Sequence, residues 1–236
     1  DWSSDVCSSD LCITLHEDGE GFLYPETDEG RCIDCGLCEK VCPVIFQGTG
    51  RRPLNVYAAK NPDEEIRWES SSGGVFTLLA EKILSEGGVV FGARFDARWE
   101  VVHDYTENVE GLSAFRGSKY VQSRIGDSFR QTECFLKTGR KVLFSGTPCQ
   151  IAGLKLFLKK EYDNLLTVDF ICHGVPSPGV WRKYLKEIAA RRAAGKNTVL
   201  YASLNKSGDV LRDISFISFR DKTLSWKKYS FVCFLK

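Results

Sequence analysis

The stretch KVLFSGTPCQIAGLKLFLKK, residues 141–160, indicates the fold class of this chain. Its opening KVLFSG is a short apolar run typical of a buried strand, and the rest has the apolar recurrence of a helix. Thr147 is suited to cap that helix, with Pro148 at its first position. A second apolar run, LLTVDFI at 165–171, follows. The strand–helix–strand order indicates an α/β fold.

The flanking sequence continues this alternation of strands and helices. A predicted helix follows Ser70–Gly74 and ends at Gly87-Gly88, and Ser123 is placed to cap a helix that reaches about Thr138. The other predicted elements are strands at 54–59, 88–95 and 99–106, a strand at 165–171, a helix at 177–195 and two or three β segments near the end. We therefore predict an α/β domain with a mixed sheet over residues 54–236.

Four cysteines precede this domain in the run CIDCGLCEKVCP, residues 32–43. The spacing C-x2-C-x2-C-x3-C-P is typical of ferredoxin segments that bind 4Fe-4S clusters. A zinc site, the alternative, favours two separated pairs of ligands and often includes histidine. The run therefore predicts cluster ligation by Cys32, Cys35, Cys38 and Cys42.

In two-cluster ferredoxins the first three cysteines of such a run share one cluster, and the fourth reaches the other. The preceding motif that would complete both clusters is absent. We therefore interpret residues 12–50 as a small, incomplete 4Fe-4S ferredoxin-type segment, the second half of a two-cluster module. Cys12 is interpreted as a buried thiol rather than a ligand. Residues 12–31 are predicted to be a connector, and the polar, Gly-rich residues 47–53 a linker.

Composition restricts the function further. A net charge of +1 offers no electrostatic basis for binding nucleic acid, and no apolar stretch is long enough to span a membrane. The ten cysteines are too few for a small disulfide scaffold, and the clustering of four favours a metal site in a reducing compartment. A cytoplasmic protein is expected.

Both ends of the chain have unusual sequences. Residues 1–11 back-translate to a common sequencing-adapter primer read in frame, so we interpret them as a non-native segment without function, including Cys7. The chain stops inside Trp226–Leu235, which has strand composition. We expect a fragment that is truncated at both ends.

Five further blocks, read together, resemble one family. They are WESSSGGVFTLLAEKIL, GGVVFGARFD, FRGSKYVQS, VLFSGTPCQIAGLK and VDFICHGVPSP. With the ferredoxin-type segment they resemble the family of coenzyme F420 hydrogenase/dehydrogenase beta subunits over residues 13–190. The resemblance implies a flavoprotein that carries FAD and 4Fe-4S clusters and passes electrons between the clusters and a hydride acceptor such as a deazaflavin.

The resemblance also suggests where FAD binds. Ser70–Gly74 precedes a helix, where backbone N–H groups can bind a phosphate, although Ser71 or Ser72 could instead be a plain N-cap. Lys119 could neutralise a reduced flavin, or be an exposed lysine at a strand end. The full set of predicted FAD ligands is Ser71, Ser72, Gly73, Gly74, Lys119, Thr147 and Gln150.

Two more cysteines follow predicted strands. Cys149 is a candidate ligand of a further cluster, a neighbour of the flavin, or a small core residue, and Cys172 is expected at the same sheet edge. His173 is the best-placed histidine for proton transfer, although a lone histidine beside a glycine is more often structural. Lys119 and His173 are the catalytic candidates. His16 and His103 receive no role, and Cys134 and Cys233 are predicted to be core residues.

These expectations favour an oxidoreductase that relays electrons between 4Fe-4S clusters and an FAD-dependent acceptor. The alternative is a non-catalytic electron-transfer subunit that delivers electrons to a partner protein. A third possibility, a degenerate fold without redox work, conflicts with the cysteine run. The expected partners are a redox protein or ferredoxin and a small-molecule electron acceptor or donor.

Overall fold

The structure, a computed structural model, describes residues 12–45, 53–192, 200–204 and 214–218. Its largest sheet has four strands, which are β3 (Val89–Phe95), β4 (Val101–Thr106), β5 (Val142–Gly146) and β6 (Leu165–Asp169). Their order in the sheet is β4-β3-β5-β6. β3, β5 and β6 run parallel, and β4 pairs antiparallel with β3. The predicted mixed sheet is confirmed.

The described helices are α1 (Leu37–Lys40), α2 (Glu64–Glu69), α3 (Val75–Ser85), α4 (Ser128–Lys137), α5 (Pro148–Leu158) and α6 (Pro178–Arg192), with a 3₁₀ helix at Glu110–Phe115. Of these, α3, α4, α5 and the 3₁₀ helix cover the two faces of the sheet. α4 and α5 pack on the face that carries Phe91 and Phe144, whereas α3 and Leu112 pack on the opposite face with Val90 and Leu143. Alternate residues of β3 and β5 thus point to two apolar layers, as expected for a strand buried on both sides.

The helix after β5 begins as its sequence predicts. Thr147 forms a capping box with Gln150, whose side chain accepts a hydrogen bond from the Thr147 backbone N–H at 3.0 Å, and Pro148 opens α5. The box satisfies N–H groups that have no partner within the helix. It therefore fixes the start of α5 at the carboxyl end of β5, one of the two inner strands of the four-stranded sheet.

Several predicted elements are wrong or incomplete. Residues 54–59 form no strand, and their apolar side chains are largely exposed. Residues 12–31 contain a hairpin, β1 (Ile13–Glu17) and β2 (Leu23–Thr27), rather than a bare connector. β6 is only half buried, because no further strand covers its outer edge in the described residues.

Two predictions on α4 are also wrong. The N-cap is Asp127 rather than Ser123, which lies buried elsewhere. Cys134 is exposed rather than in the core, because α4 turns Phe129, Thr132 and Leu136 inward. Cys12, in contrast, is buried as predicted.

The last described elements are β7 (Leu200–Leu204) and β8 (Ile214–Ser218), an antiparallel pair. The predictions for residues 1–11, for the end of the helix at 177–195, for Trp226–Leu235 and for Cys233 lie outside the described residues, as does most of the predicted linker. Among the helices that are described, none combines the length and apolar character needed to cross a membrane.

Candidate functional site

The carboxyl ends of β5 and β6 bring two cysteine-bearing loops to one edge of the sheet. Gly146 pairs with Asp169 in the parallel ladder, and Cys149 and Cys172 each follow three residues later. Both cysteines are exposed, so the alternative of a small core residue is wrong for Cys149. Cys149 Sγ lies 3.0 Å from Thr147 Oγ1. The prediction that both cysteines emerge at one edge is confirmed.

Beneath the β5–α5 loop lies a buried polar chain that the sequence did not reveal. His103 on β4 reaches across the sheet, and its Nε2 lies 3.0 Å from the Ser145 carbonyl oxygen. Its Nδ1 lies 2.9 Å from Ser123 Oγ, which in turn accepts a hydrogen bond from Gln150 Nε2 at 2.9 Å. The other side-chain atom of this amide, Gln150 Oε1, accepts the hydrogen bond from the backbone N–H of Thr147. This chain of hydrogen bonds therefore anchors the junction of β5 and α5, residues 145–150.

The partners determine which ring nitrogen carries the proton. A carbonyl oxygen can only accept, so His103 donates from Nε2 to Ser145 and accepts at Nδ1 from the Ser123 hydroxyl. Burial, partly opposed by the bond to Ser145, lowers the pKa of His103 to about 4. The imidazole also stacks on Phe144, with ring centroids 5.3 Å apart. His103 is thus a neutral structural group at neutral pH.

This burial predicts acid sensitivity. The unfolded chain protonates His103 below about pH 6.5, whereas the folded protein resists protonation until about pH 4. Titration of His103 therefore costs no stability above about pH 6.5. As the pH falls from 6.5 toward 4, it lowers the free energy of unfolding by on the order of 3 kcal/mol. Urea denaturation at several pH values measures this loss.

The matched variants are His103→Gln and His16→Gln. The first removes the titrating group, so the difference in stability between pH 7 and pH 4.5 should shrink relative to the wild type. His16 is exposed on the β1–β2 hairpin, and its replacement should leave the pH dependence nearly unchanged. An unaltered acid loss in His103→Gln would contradict the assignment.

The Ser70–Gly74 block meets the Arg116–Tyr120 block at the start of α3. Ser71 Oγ accepts a hydrogen bond from the Ser118 backbone N–H at 2.6 Å, and Arg116 pairs with Glu69. The N-cap of α3 is Gly74, with φ of 73° and no side-chain cap, so neither Ser71 nor Ser72 is the N-cap. The structure thus brings two predicted FAD-binding blocks together.

Asn61 holds the glycine pair of this block from below. It is 1% exposed; its backbone N–H donates to the Gly73 carbonyl at 2.7 Å, and its Nδ2 donates to the Gly74 carbonyl at 3.3 Å. A Cβ on Gly73 would lie 2.9 Å from the carbonyl oxygen of Ala59. Close backbone packing explains why glycine stands at 73, and positive φ explains it at 74.

Lys119 is not the exposed strand-end lysine of the alternative interpretation. Its Nζ donates to the carbonyls of Ala114 and Arg116, each at 2.9 Å, and burial lowers its pKa to about 8. The side chain lines an open groove of about 310 Å³, whose other lining residues are Phe95, Asp96, Trp99, Ser113 and Ala114. His173, the second catalytic candidate, is exposed after β6.

The cysteine run forms a short loop around α1. Left-handed backbone at Asp34 and Gly36 turns the chain between the first three cysteines. All four thiols are free; Cys42 is half buried and the others are exposed. Within the described residues, no three histidine, cysteine or acidic side chains are close enough to hold a metal ion. The donor set fits a 4Fe-4S cluster in number, chemistry and spacing, although the thiols are not gathered in this conformation.

Comparison with known proteins identifies the family. A model described as the N-terminal part of the coenzyme F420 hydrogenase/dehydrogenase beta subunit matches residues 56–128, and the model of its C terminus matches residues 139–198. Together they cover more than half of the chain. The chain belongs to the family of coenzyme F420 hydrogenase/dehydrogenase beta subunits. A 4Fe-4S binding domain model matches residues 24–47, so this member of the family carries an iron–sulfur segment.

Two curated relatives are similar to parts of the chain. One subunit of the F(420)H(2) dehydrogenase of Methanosarcina mazei is 25% identical over 166 residues, which are 68% of this chain and 44% of that protein. A leucine–tRNA ligase of Syntrophus aciditrophicus is 32% identical over 130 residues, 52% of this chain and 14% of that protein. The chain thus spans less than half the length of either relative.

A solved structure of the F420-reducing [NiFe] hydrogenase complex from Methanosarcina barkeri also contains a similar chain. The similarity has a TM-score of 0.45 and 19% sequence identity, and covers 77% of this chain and 60% of that one. The family membership therefore rests on the sequence models, and the fold on the elements described above.

Proposed function

We propose that this chain is an iron–sulfur electron-transfer subunit whose α/β domain binds FAD and passes electrons between 4Fe-4S clusters and a hydride or electron acceptor. The observation that supports it most is the Cys32–Cys42 run, matched by a 4Fe-4S domain model, directly before the two beta-subunit models. The family belongs to hydrogenase and dehydrogenase complexes, which makes an oxidoreductase context the natural one.

In this proposal the cysteine run supplies the cluster ligands. Cys32, Cys35 and Cys38 hold one cluster and Cys42 contributes to a second, while Cys149 and Cys172 are candidate ligands of a further cluster. A bound 4Fe-4S cluster supplies one-electron transfer. The left-handed Asp34 and Gly36 let the loop bend, and its exposed thiols are free to close around a cluster.

The proposed FAD site lies where the Ser70–Gly74 and Arg116–Tyr120 blocks meet. Ser72 is partly exposed beside the start of α3, where the helix dipole favours negative charge. Lys119 places a cation beside the aromatic lining of the groove, suited to the charge of a reduced flavin. Thr147 and Gln150, the other two residues proposed for FAD, lie at the start of α5, where the Gln150 amide is hydrogen-bonded to Thr147 and Ser123.

The proposed role of Lys119 predicts that FAD binding depends on pH. Since its pKa is about 8, the side chain is a cation at lower pH and loses its charge as the pH rises through 8. The affinity for reduced, anionic FAD should therefore fall above pH 8, by about tenfold once the charge is lost, which corresponds to about 1.4 kcal/mol. Anaerobic ultrafiltration of the dithionite-reduced protein between pH 6.5 and 9.5 measures the FAD that remains bound.

Lys119→Gln should bind reduced FAD about tenfold more weakly at pH 7 and lose most of this pH dependence. Lys137→Gln is the matched control, because Lys137 is exposed on α4 and pairs with Glu133. If both variants retained the wild-type profile, Lys119 would have no part in binding FAD.

The acceptor in this proposal is a deazaflavin such as coenzyme F420, or another small molecule that takes a hydride. The names of the family and of the Methanosarcina relative support this choice. A redox partner protein would supply or receive electrons at the cluster. If no flavin is bound, the chain is an electron-transfer subunit without catalysis of its own.

The experiment purifies the gene product under anaerobic conditions, reconstitutes it with iron, sulfide and FAD, and reduces it with dithionite. Addition of oxidised coenzyme F420 should then restore the oxidised flavin spectrum as the deazaflavin is reduced. Stoichiometric iron without flavin, and no reaction with the deazaflavin, would support the non-catalytic alternative instead.

A further inference from the structure

The β1–β2 hairpin contacts the α/β domain at a three-part junction. Its turn meets the first turn of α6, and both meet the turn between β3 and β4. The hairpin is followed directly by the cysteine run. The two are also hydrogen-bonded, since the backbone carbonyl of Asp28, after β2, accepts from the Cys32 backbone N–H at 2.9 Å. Whatever holds the hairpin therefore also holds the start of the iron–sulfur segment.

We propose that this junction docks the iron–sulfur segment permanently on the α/β domain, so that the segment does not work as an arm tethered only by residues 46–53. The binding partner of the junction surface is thus the chain's own hairpin. The proposal concerns packing within the chain, and it holds or fails independently of which cofactors are bound.

The closest part of the junction is a contact between two backbones. The Gly179 N–H donates to the Glu20 carbonyl at 2.7 Å. A Cβ on Gly179 would lie 2.5 Å from the same carbonyl oxygen, and one on Gly21 would lie 2.7 Å from Gly179 N. Neither position tolerates a side chain without movement, so the hairpin and α6 fit only with glycine on both sides.

Four charges surround this contact. Arg182 of α6 donates to Glu17 of β1 and to Glu100 of the β3–β4 turn, the latter at 2.6 Å. Arg124 lies 3.4 Å from Glu17 and 3.9 Å from Glu100. Two arginines and two glutamates thus alternate across α6, β1, the β3–β4 turn and the segment before α4. The bonds to Glu100 and Glu17 raise the pKa of Arg182. Such a network is worth more than an isolated surface pair.

The third part of the junction is aromatic. Trp181 donates from Nε1 to the Trp99 carbonyl at 2.7 Å and stacks on Phe95, with ring centroids 6.0 Å apart. Trp99 has a φ of 63°, an unusual conformation for a bulky residue. Trp99 lies in the β3–β4 turn, and its left-handed backbone is part of the turn that presents the Trp99 carbonyl to Trp181 of α6. The junction therefore fixes α6, the hairpin and the carboxyl edge of β3 together.

Hydrogen exchange at Gly179 tests the proposal in the intact protein. Gly179 is the second residue of α6, where a backbone N–H has no partner within the helix. Its protection therefore reports on the bond to Glu20. We expect exchange slowed by about tenfold or more relative to an unstructured amide. Exchange at the unstructured rate would overturn the proposal.

A second measurement uses a protease site inserted within residues 47–53 of the full chain. After complete cleavage, the amino-terminal piece should co-elute with the α/β domain in gel filtration. Gly179→Ala should weaken this association by about tenfold or more, which corresponds to 1.4 kcal/mol. Gly19→Ala is the control, since a Cβ there meets nothing within 4 Å.

Two glutamate variants measure how much the ion pairs contribute to the association of the two pieces. Glu17→Ala should weaken the association severalfold and reduce its dependence on salt, whereas Glu26→Ala, on the same hairpin but paired with exposed His16, should do neither. Separation of the wild-type pieces on cleavage would overturn permanent docking. Equal retention by Gly179→Ala and Gly19→Ala would overturn the junction as its cause.

Discussion

Cys35→Ser is expected to reduce the iron and sulfide bound by the reconstituted protein by more than about tenfold. Even changes to residues that only hydrogen-bond to metal ligands cost about 10–100-fold in metal affinity. Cys35 is the middle thiol of the three predicted to share a cluster, and a serine hydroxyl is a far poorer ligand for iron than a thiolate. Iron and acid-labile sulfide assays after anaerobic reconstitution provide the measurement.

Cys134→Ser is the matched control for this prediction. Cys134 is also exposed and free, but it lies in the middle of α4. Its replacement should leave the iron content and the helix unchanged. If the two serine variants bound equal amounts of iron and sulfide, the assignment of the Cys32–Cys42 run as the cluster site would be wrong.

The second large effect is on stability. Phe144 is fully buried on β5, and its ring contacts those of Phe91, Phe129 and His103. Phe144→Ala removes the ring around which the α4–α5 face of the sheet is packed. We expect a loss of about 3–5 kcal/mol, a large share of the stability of a typical domain. Thermal unfolding should shift downward by about 10 °C.

Phe170→Ala makes the same substitution just beyond β6, where the side chain is 52% exposed. Its effect should remain below about 1 kcal/mol, because the ring is far from fully removed from water. Urea denaturation followed by circular dichroism compares the two variants. Similar losses in both would mean that Phe144 is not the centre of the core.

Local sequence signals predicted the fold well where the deciding contacts are also local. In the strand–helix unit at 141–160, Thr147 was predicted to cap the helix, and the apolar recurrence predicted a helix after it. Both are found in α5. α3 and the strands β3 and β4 also lie where their sequence predicts them, although the N-cap of α3 is Gly74 rather than a serine. The segment at 54–59 has strand composition but lacks a pairing partner among the described strands, which composition alone does not reveal.

The candidate site was predicted only in part, for a related reason. The register of β5 and β6 brings Cys149 and Cys172 to one edge, as strand order predicts. His103, in contrast, gains its role from Ser123 and Ser145, which are distant in sequence. The sequence places His103 on an alternating strand and suggests Ser123 as a helix cap, but neither pattern predicts that the two side chains are hydrogen-bonded. Asn61 was missed because its partners are the backbone of a loop.

The measurement that tests the central claim most directly is metal analysis combined with low-temperature EPR of the anaerobically reconstituted, dithionite-reduced protein. The proposed function predicts iron and acid-labile sulfide in equal amounts and the signal of a reduced 4Fe-4S cluster, which Cys35→Ser abolishes. Zinc in place of iron, or iron without sulfide and without such a signal, would contradict it.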